Sequence, residues 1–197
     1  MKKIVLASNN RGKVREFNEL LADLDWQVTP QAELGVTEIE ETGLTFVENA
    51  ILKARHAAAH TGLPAIADDS GLEVDVLNGA PGIYSARYAG TAASDEENLQ
   101  KLLADIEGVP DEKRSARFQC LLVLMRHELD PTPLISQGTW EGRILQAAHG
   151  DNGFGYDPVF YVPEQDCSSA ELPAEVKNRL SHRGQALQKF IQAMKSS

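Results

Sequence analysis

Two short acidic segments carry side chains that could hold a metal ion or activate water. Asp68 and Asp69 lie in "PAIADDSGLEVDV", and Glu40 and Glu41 lie in "IEETG" (residues 39–43). Mg²⁺ takes oxygen ligands, usually one or two carboxylates with water and substrate phosphates, so acids drawn from two loops would suit it. The alternative is that both segments are turns with solvent-facing acids. If Asp68 and Asp69 lie on a strand they point to opposite faces, so we expect them to have different roles.

The segment "SNNRGKV" (8–14) is a candidate phosphate-binding loop. Flexible residues would let backbone N–H groups converge on an anion, and Lys13 would add positive charge. It is not a Walker A loop, because Ala7 stands where that motif has its first glycine and Val14 where it has Ser or Thr. The alternative is a plain turn between a strand and a helix.

Two further segments could recognise a base. "GDNGFGYDP" (150–158) places Phe154 and Asp157 among three glycines, so an aromatic ring could stack on a purine. The alternative is a hairpin or bulge with an aromatic plug. In "SHRG" (181–184) we expect Ser181 to begin a helix. The helix dipole disfavours cations at that end, so His182 and Arg183 indicate a facing ligand, and Lys177 lies about one turn upstream.

His56 and His60 are spaced four residues apart and could in principle bind zinc. The residue after His56 is Ala57, not the Glu of the HExxH motif. We therefore interpret the pair as part of a solvated helix face, together with Asn49 and Lys53.

Composition limits the classes of partner and location. A net charge of −10 argues against a nucleic-acid polymer, which normally meets a basic stripe. No apolar run approaches the roughly 20 residues of a membrane span, and the apolar run in "MKKIVLASNN" is too short for a signal peptide, so we expect no membrane partner. Cys120 and Cys167 form no CxxC pattern, and we predict a cytoplasmic protein.

Strand and helix patterns alternate along the chain, which predicts an α/β fold. "KKIVLAS" and "WQVTP" are strand candidates, and "VREFNELLADL" has helical spacing between them. Thr45 with Glu48, and Ser94 with Glu97, predict capping boxes at the starts of two helices. "RFQCLLVLMRH" and "LISQGTWEGRIL" predict two long neighbouring strands, and hence a mixed sheet flanked by helices within a single domain, 1–197.

Five segments in order along nearly the whole chain resemble the Ham1/RdgB family of non-canonical purine nucleoside triphosphate pyrophosphatases. They are "SNNRGKVREF", "EETGLTFVENAILKAR", "AIADDSGLEVDVLNGAPGIYSARYAG", "GFGYDPVF" and "SHRGQAL". The small difference is in the first segment, where Ser8-Asn9 occupies places that vary among Ser, Thr, Gly and Asn in the family.

The resemblance implies Mg²⁺-dependent hydrolysis of dITP, ITP and XTP to monophosphate and pyrophosphate. It also implies a homodimer whose subunits have two lobes and a central substrate cleft. By position, Asp69 would be the general base and, with Glu41, the Mg²⁺ site. The substrate-binding residues would be Ser8, Asn9, Asn10, Arg11, Gly12, Lys13, Lys53, Ser70, Phe154, Gly155, Tyr156, Asp157, Lys177, His182 and Arg183.

Two other readings stay open. One is a Maf-like pyrophosphatase that acts on modified pyrimidine or ordinary triphosphates, against which "GFGYDP" and "SHRG" weigh. The other is a nucleotide-binding regulatory module without turnover, which would leave the acidic segments with little to do.

Overall fold

The computed structural model describes residues 2–9, 13, 14, 17, 18, 21 and 25–195. Within them, seven strands form one sheet: β1 Lys2–Leu6, β2 Trp26–Pro30, β3 Ala65–Val74, β4 Ser115–Met125, β5 Leu134–Ile144, β6 Phe160–Val162 and β7 Cys167–Ser168. The α-helices with defined bounds are α1 Phe46–Thr61, α2 Asp95–Asp105, α3 Ala174–Leu180 and α4 His182–Lys195. Residues 13, 14, 17, 18 and 21 are also helical, as the sequence pattern predicts.

The sheet is mixed, as predicted. Its strand order is β2-β1-β3-β4-β5-β6-β7. β1 runs parallel to β2 and to β3, with Val5 opposite Ala65 and Leu6 opposite Ile66. β6 runs antiparallel to β5 and to β7. The two long strands predicted as neighbours are β4 and β5, and the helices flank the sheet, so the expected α/β class is confirmed.

Helix α1 begins and ends where the sequence signals predict. The Thr45 hydroxyl accepts the Glu48 N–H at 3.3 Å, as predicted. The Glu48 carboxylate accepts the N–H of Leu44 at 3.0 Å, so the capping box predicted for Thr45 and Glu48 forms only in part. Gly62 ends the helix with φ of +65°, a conformation that glycine adopts without strain. The second predicted box is complete, because Ser94 and Glu97 exchange both hydrogen bonds at the start of α2.

Alanines let α1 lie close to the sheet. Ala50, Ala54, Ala57 and Ala58 are buried on one face, at helical spacing, against residues of β1, β3 and β4. One prediction about this helix is wrong: Asn49, expected on the solvated stripe, is 0% exposed. Lys53 lies one turn after Asn49 on the same side of α1 and reaches β3, where its ammonium pairs with Asp69.

The chain divides into two compact units, each with its own core. Unit 1 comprises Met1–Asp69, Cys120–Gln137 and Ala186–Ser197, and unit 2 comprises Ser70–Gln119 and Gly138–Gln185. The core of unit 1 joins apolar residues of β1 and β3 to Leu187 and Phe190 of α4. The core of unit 2 is built around Phe118, Trp140 and Phe160, which contact one another ring to ring. The single domain and its central cleft stay predictions.

Among the described residues, no helix has the length and apolar character needed to cross a membrane.

Candidate active site

The acidic doublet lies in a strand rather than at a loop-like break, which corrects the expectation from sequence. Asp68 and Asp69 are the fourth and fifth residues of β3, and the strand continues through Ser70 and Gly71. Side chains alternate along a strand, so the two carboxylates point to different sides. Asp68 pairs with Lys13 at 2.6 Å, and Asp69 pairs with Lys53 at 2.8 Å. The two aspartates therefore have separate partners.

Lys53 joins the two acidic segments. Its Nζ lies 2.8 Å from Glu41 Oε1 and 2.8 Å from Asp69 Oδ1. The side chains of Lys53, Glu41 and Asp69 are 17%, 24% and 12% exposed, so the group is largely shielded from water. Together with the Lys13–Asp68 pair they form a set that we call the lysine–carboxylate cluster (Lys13, Glu41, Lys53, Asp68 and Asp69).

Burial and charge shift the ionisation of this cluster. Burial raises the pKa of the Asp69 carboxyl above its ordinary value of 3.8, and the carboxylates of Glu41 and Asp68 add to the rise against the opposing Lys53 ammonium. Burial by itself would lower the pKa of Lys53, but the attraction of Asp69 and Glu41 outweighs it and raises that pKa above 10.5. Asp69 is thus a stronger base than an exposed aspartate.

Residues 37–43, which include the acidic segment "IEETG", are held against α1 at three points. Gly43 donates its N–H to Asn49 Oδ1 at 2.8 Å, and a Cβ on Gly43 would lie 2.7 Å from that oxygen. His56 Nε2 lies 3.0 Å from the Thr37 carbonyl oxygen. The third point is the Lys53–Glu41 pair. Glycine is needed at residue 43 because the segment passes so close to the helix.

The two histidines of α1 are engaged with backbone oxygens. His60 Nδ1 lies 2.9 Å from the His56 carbonyl oxygen, and the two rings are 4.1 Å apart. In the described part of the chain, no group of three or more His, Cys, Asp or Glu residues is arranged to hold a metal ion. His60 is exposed and His56 is partly exposed, and their interpretation as part of a solvated helix face stays a prediction.

The residues of the lysine–carboxylate cluster nevertheless fit a magnesium ion that is bound together with a nucleotide. Two carboxylates, Glu41 and Asp69, already converge on one positive centre, the Lys53 ammonium. One or two carboxylates are what Mg²⁺ takes from a protein when phosphates and water supply its other ligands.

The first loop is described only in part. Asn9 donates from Nδ2 to Glu38 Oε1 at 3.1 Å, and Ser8 is partly exposed beside it. Lys13 is the next described residue, and it is helical. The predicted residues Asn10, Arg11 and Gly12 lie outside the described residues.

Asp157 is the hub of the Gly-rich segment in unit 2. This carboxylate is 4% exposed and accepts from Lys177 Nζ at 2.5 Å, from the Phe154 N–H at 2.8 Å and from the Ser169 hydroxyl at 2.9 Å. A Cβ on Gly153 would lie 2.3 Å from Asp157 Oδ2, so that position requires glycine. Three donors inside the protein therefore already occupy the carboxylate for which the sequence suggests a base contact.

The segment presents one aromatic ring and buries the next. Phe154 is 67% exposed, and Lys177 Nζ lies 5.6 Å from the centre of its ring. Gly155 has φ of +61° and donates its N–H to Asp95 Oδ2 at 2.8 Å. Tyr156 is 5% exposed and donates its hydroxyl to the Ser85 carbonyl oxygen at 2.8 Å, and burial raises the pKa of that hydroxyl. Phe154 is therefore the ring available for stacking.

The start of α4 has the predicted cap. Ser181 Oγ accepts the Gly184 N–H at 3.2 Å, which places His182 and Arg183 in the first turn. The His182 ring stacks on Phe118, with centres 4.8 Å apart and planes 15° apart. A Cβ on Gly184 would lie 1.8 Å from the Asn178 carbonyl oxygen, so only glycine permits the sharp passage from α3 to α4.

Ser70 adds a polar atom beside Asp69. Its Oγ is buried and, among the residues that the structure describes, makes no hydrogen bond. A buried hydroxyl without a partner costs about 1–3 kcal/mol, so its presence favours a ligand contact.

Four residues of these groups escape sequence reasoning: Asn49, Asp95, Phe118 and Ser169. Asn49 follows Glu48 in a polar-looking stripe, and its burial depends on the path of the acidic segment. Asp95 reads as the first residue of a capped helix, and Phe118 and Ser169 carry no local signal. Each gains its role from a contact more than five residues away in sequence.

The sequence and fold of this chain are similar to those of proteins of one family. The Ham1 family model matches residues 4–193. The "dITP/XTP pyrophosphatase" of Vibrio parahaemolyticus is 67% identical over 191 residues, which cover 97% of this chain and 96% of that protein. A HAM1 protein from Coxiella burnetii has a structure with a TM-score of 0.97 and 54% identity over the full length of both chains. The Ham1 protein of Staphylococcus aureus gives a TM-score of 0.92 and 43% identity over 99% of each chain.

Proposed function

Because this chain belongs to the Ham1 family, we propose that it hydrolyses dITP, ITP and XTP to the nucleoside monophosphate and pyrophosphate. The observation that carries the proposal is the convergence of Glu41 and Asp69 on the Lys53 ammonium, with Lys13 beside them on Asp68. Two cations and three carboxylates in one cluster suit a substrate that carries both phosphates and a divalent metal ion.

Asp69 is the general base of the proposed reaction. Its carboxylate takes a proton from water as the water oxygen forms a bond to the α-phosphorus. The bond from that phosphorus to the bridging oxygen breaks, and its electron pair leaves with pyrophosphate. A positioned base typically contributes about 10²–10⁴ in rate, and the raised pKa of Asp69 makes it a better proton acceptor.

Glu41 and Asp69 would hold Mg²⁺, which when bound neutralises phosphate oxygens and lowers the pKa of a coordinated water. The lysines complete the neutralisation, since Lys13 and Lys53 each carry an ammonium that phosphate oxygens can accept from. Ser8, Asn9 and Ser70 would donate further hydrogen bonds to the triphosphate. The same role is proposed for Asn10, Arg11 and Gly12.

Base selection is proposed for the residues of unit 2. The exposed Phe154 ring offers a face for stacking, and Lys177 and Asp157 hold the loop that carries it. His182 and Arg183 supply donors that match the 6-keto oxygen of hypoxanthine and xanthine and oppose the 6-amino group of adenine. A donor left facing another donor costs about 1–3 kcal/mol, which corresponds to about 5- to 150-fold in discrimination.

Pyrophosphate release from a panel of triphosphates, with and without Mg²⁺, tests the proposal. We expect release from ITP, dITP and XTP only with the metal, and little from ATP. Asp69→Asn should lower turnover by about 10²-fold or more, and near-normal turnover would exclude it as the base. Arg183→Ala should lower the ratio of ITP turnover to ATP turnover. Preference for pyrimidine triphosphates would favour a Maf-like enzyme, and no release at all would favour a binding module.

Glu41→Gln and Glu40→Gln form a matched pair for the metal. Both remove one negative charge from the same segment, but Glu40 is exposed and Glu41 pairs with Lys53. We expect only Glu41→Gln to raise the Mg²⁺ concentration needed for half-maximal rate. Equal effects would remove Glu41 from the proposed metal site.

We also propose that residues 1–197 act as one catalytic domain in a cytoplasmic homodimer. The Ham1 match over 4–193 supports one domain, and cysteines that are thiols rather than a disulfide, as Cys120 and Cys167 are, are typical of a reducing compartment. Sedimentation equilibrium tests the dimer, and a monomer at micromolar concentration would exclude it.

A further inference from the structure

Lys53 occupies the point at which the proposed metal-binding carboxylates meet. Its ammonium lies 2.8 Å from Glu41 and 2.8 Å from Asp69, and its side chain is only 17% exposed. The inference drawn here rests on the proposed function, because it takes these two carboxylates as the metal-binding pair.

An ammonium and a divalent cation cannot share these carboxylates without cost. Like charges a few ångströms apart repel strongly where water is partly excluded. A metal ion that binds to Glu41 and Asp69 must therefore displace Lys53 or bind against its charge. Without the ammonium, however, two carboxylates in a partly buried site would repel each other.

The side chain of Lys53 is suited to move. Lysine carries a compact charge on a flexible four-carbon stem, so its ammonium can shift by several ångströms while the backbone of α1 stays in place. α1 itself is held by the alanine face against the sheet and by its caps. A triphosphate offers the ammonium several negatively charged oxygens that accept strong, charge-assisted hydrogen bonds.

We propose that Lys53 couples the binding of nucleotide to the binding of metal. Before substrate arrives, the ammonium holds Glu41 and Asp69 together and keeps the affinity for a metal ion low. A triphosphate draws the ammonium onto its own oxygens, and both carboxylates become available to the metal that accompanies the nucleotide. By thermodynamic linkage, metal and nucleotide then strengthen each other's binding by the same factor. In this scheme Lys53 has two successive roles: it first holds Glu41 and Asp69 together and then contacts the phosphate oxygens.

Lys13 provides the matched control. It carries the same charge in the same cluster, but its partner is Asp68 at 2.6 Å, on the other side of β3. Lys13→Met and Lys53→Met therefore change the net charge equally, and only Lys53→Met removes the bridge.

The test measures Mn²⁺ binding to the intact protein without nucleotide, by electron paramagnetic resonance of the free ion. Mn²⁺ binds to oxygen ligands as Mg²⁺ does and gives a direct readout that needs no turnover. We expect Lys53→Met to bind Mn²⁺ about tenfold more tightly than wild type, because one positive charge leaves the immediate surroundings of the ion. Lys53→Arg should stay within about twofold of wild type, and Lys13→Met within about threefold.

A second measurement repeats the titration with a non-hydrolysable α,β-imido analogue of ITP present. The analogue should tighten Mn²⁺ binding in both proteins. We expect the factor for wild type to be about ten times the factor for Lys53→Met. Thermal unfolding confirms that each variant is folded, and Lys53→Gln replaces Lys53→Met if the latter does not fold.

Three results would overturn the coupling role: unchanged or weaker Mn²⁺ binding by Lys53→Met or its substitute Lys53→Gln, an equal gain in Lys13→Met, or equal tightening by the analogue with and without Lys53. Failure of the proposed function would look different. In that case wild type would release no pyrophosphate from the triphosphate panel, whatever its affinity for Mn²⁺.

Discussion

Replacing Asp157 tests whether this carboxylate reads the purine base or shapes the loop that carries Phe154. Its oxygens accept from Lys177, the Phe154 N–H and Ser169 at 2.5, 2.8 and 2.9 Å. It is 4% exposed, so these donors occupy most of its capacity. The structure therefore favours a shaping role.

The size of the effect follows from those contacts. Removing one partner of a buried charge pair costs about 3–5 kcal/mol, because the other charge is left without compensation. The Lys177 side chain is 19% exposed and can turn toward water, which places the cost near the lower end. We expect Asp157→Ala to lower the free energy of unfolding by about 3 kcal/mol. For a chain of this length that corresponds to about 6–12 °C in the melting temperature.

Thermal unfolding and steady-state kinetics together measure the outcome. We expect KM for ITP to rise by about tenfold while kcat changes less, because the loop positions the base and Asp69 stays in place. KM for XTP should rise by the same factor. Asp151→Ala is the control, since Asp151 is an exposed acid of the same segment and its loss should change stability by less than about 0.5 kcal/mol. An unchanged melting temperature with altered discrimination between ITP and ATP would refute the reasoning and assign Asp157 to base reading.

Three more predictions concern the surroundings of the lysine–carboxylate cluster and of the Gly-rich segment in unit 2. Gly43→Ala places a Cβ 2.7 Å from Asn49 Oδ1, and we expect it to cost about 2 kcal/mol, or about 4–8 °C in melting temperature, and to weaken the response to Mg²⁺. Asp69→Asn should melt higher than wild type at pH 7 in metal-free buffer. Between the ordinary pKa of 3.8 and the raised pKa of the folded state, the folded chain binds more protons than the unfolded chain. Wild-type stability therefore falls as pH rises through that window. The difference in melting temperature between Asp69→Asn and wild type should close toward acid pH. Asp95→Ala removes the acceptor of the Gly155 N–H and should raise KM for ITP about threefold, while Asp95→Asn, which keeps an acceptor, should restore it.

Each of these has an outcome that contradicts it. Thr42→Ala changes an exposed neighbour of Gly43, and an equal loss of stability in both would exclude the close approach to α1 as the cause. A lower melting temperature for Asp69→Asn at pH 7 would mean that the Lys53 pair outweighs the burial of the carboxylate. Failure of Asp95→Asn to restore KM would show that the carboxylate charge, and not its hydrogen bond, matters.

Local patterns in the sequence predict the elements of this fold well. The capping residues Thr45, Ser94 and Ser181 start helices where expected, because each satisfies N–H groups within four residues of itself. The long apolar run of β4 and the alternation of apolar and polar residues in β5 predict strands, because these patterns too are contained in a short stretch of sequence. Two long strands in succession also predict that the sheet is mixed rather than purely parallel, as it is.

Local patterns fail where a side chain's surroundings come from distant segments. Polar residues in "ADDSG" look like a turn, but β3 continues through them because Lys13 and Lys53 neutralise both aspartates. Asn49 looks solvent-facing, yet the acidic segment covers it and donates to it.

The sequence by itself determined the elements, their caps and the family resemblance, since these depend on residues that are close in the chain or on motifs read in order. Only the tertiary structure decided which charges meet. The alanine face of α1 sets its distance from β3, and that distance brings Lys53 to both Glu41 and Asp69. Likewise, the fold brings Asp157 to Lys177 and Ser169, which are 20 and 12 positions away in the sequence. Coulombic and hydrogen-bond energies depend on separation in space, and separation in space follows from packing rather than from any short stretch of sequence.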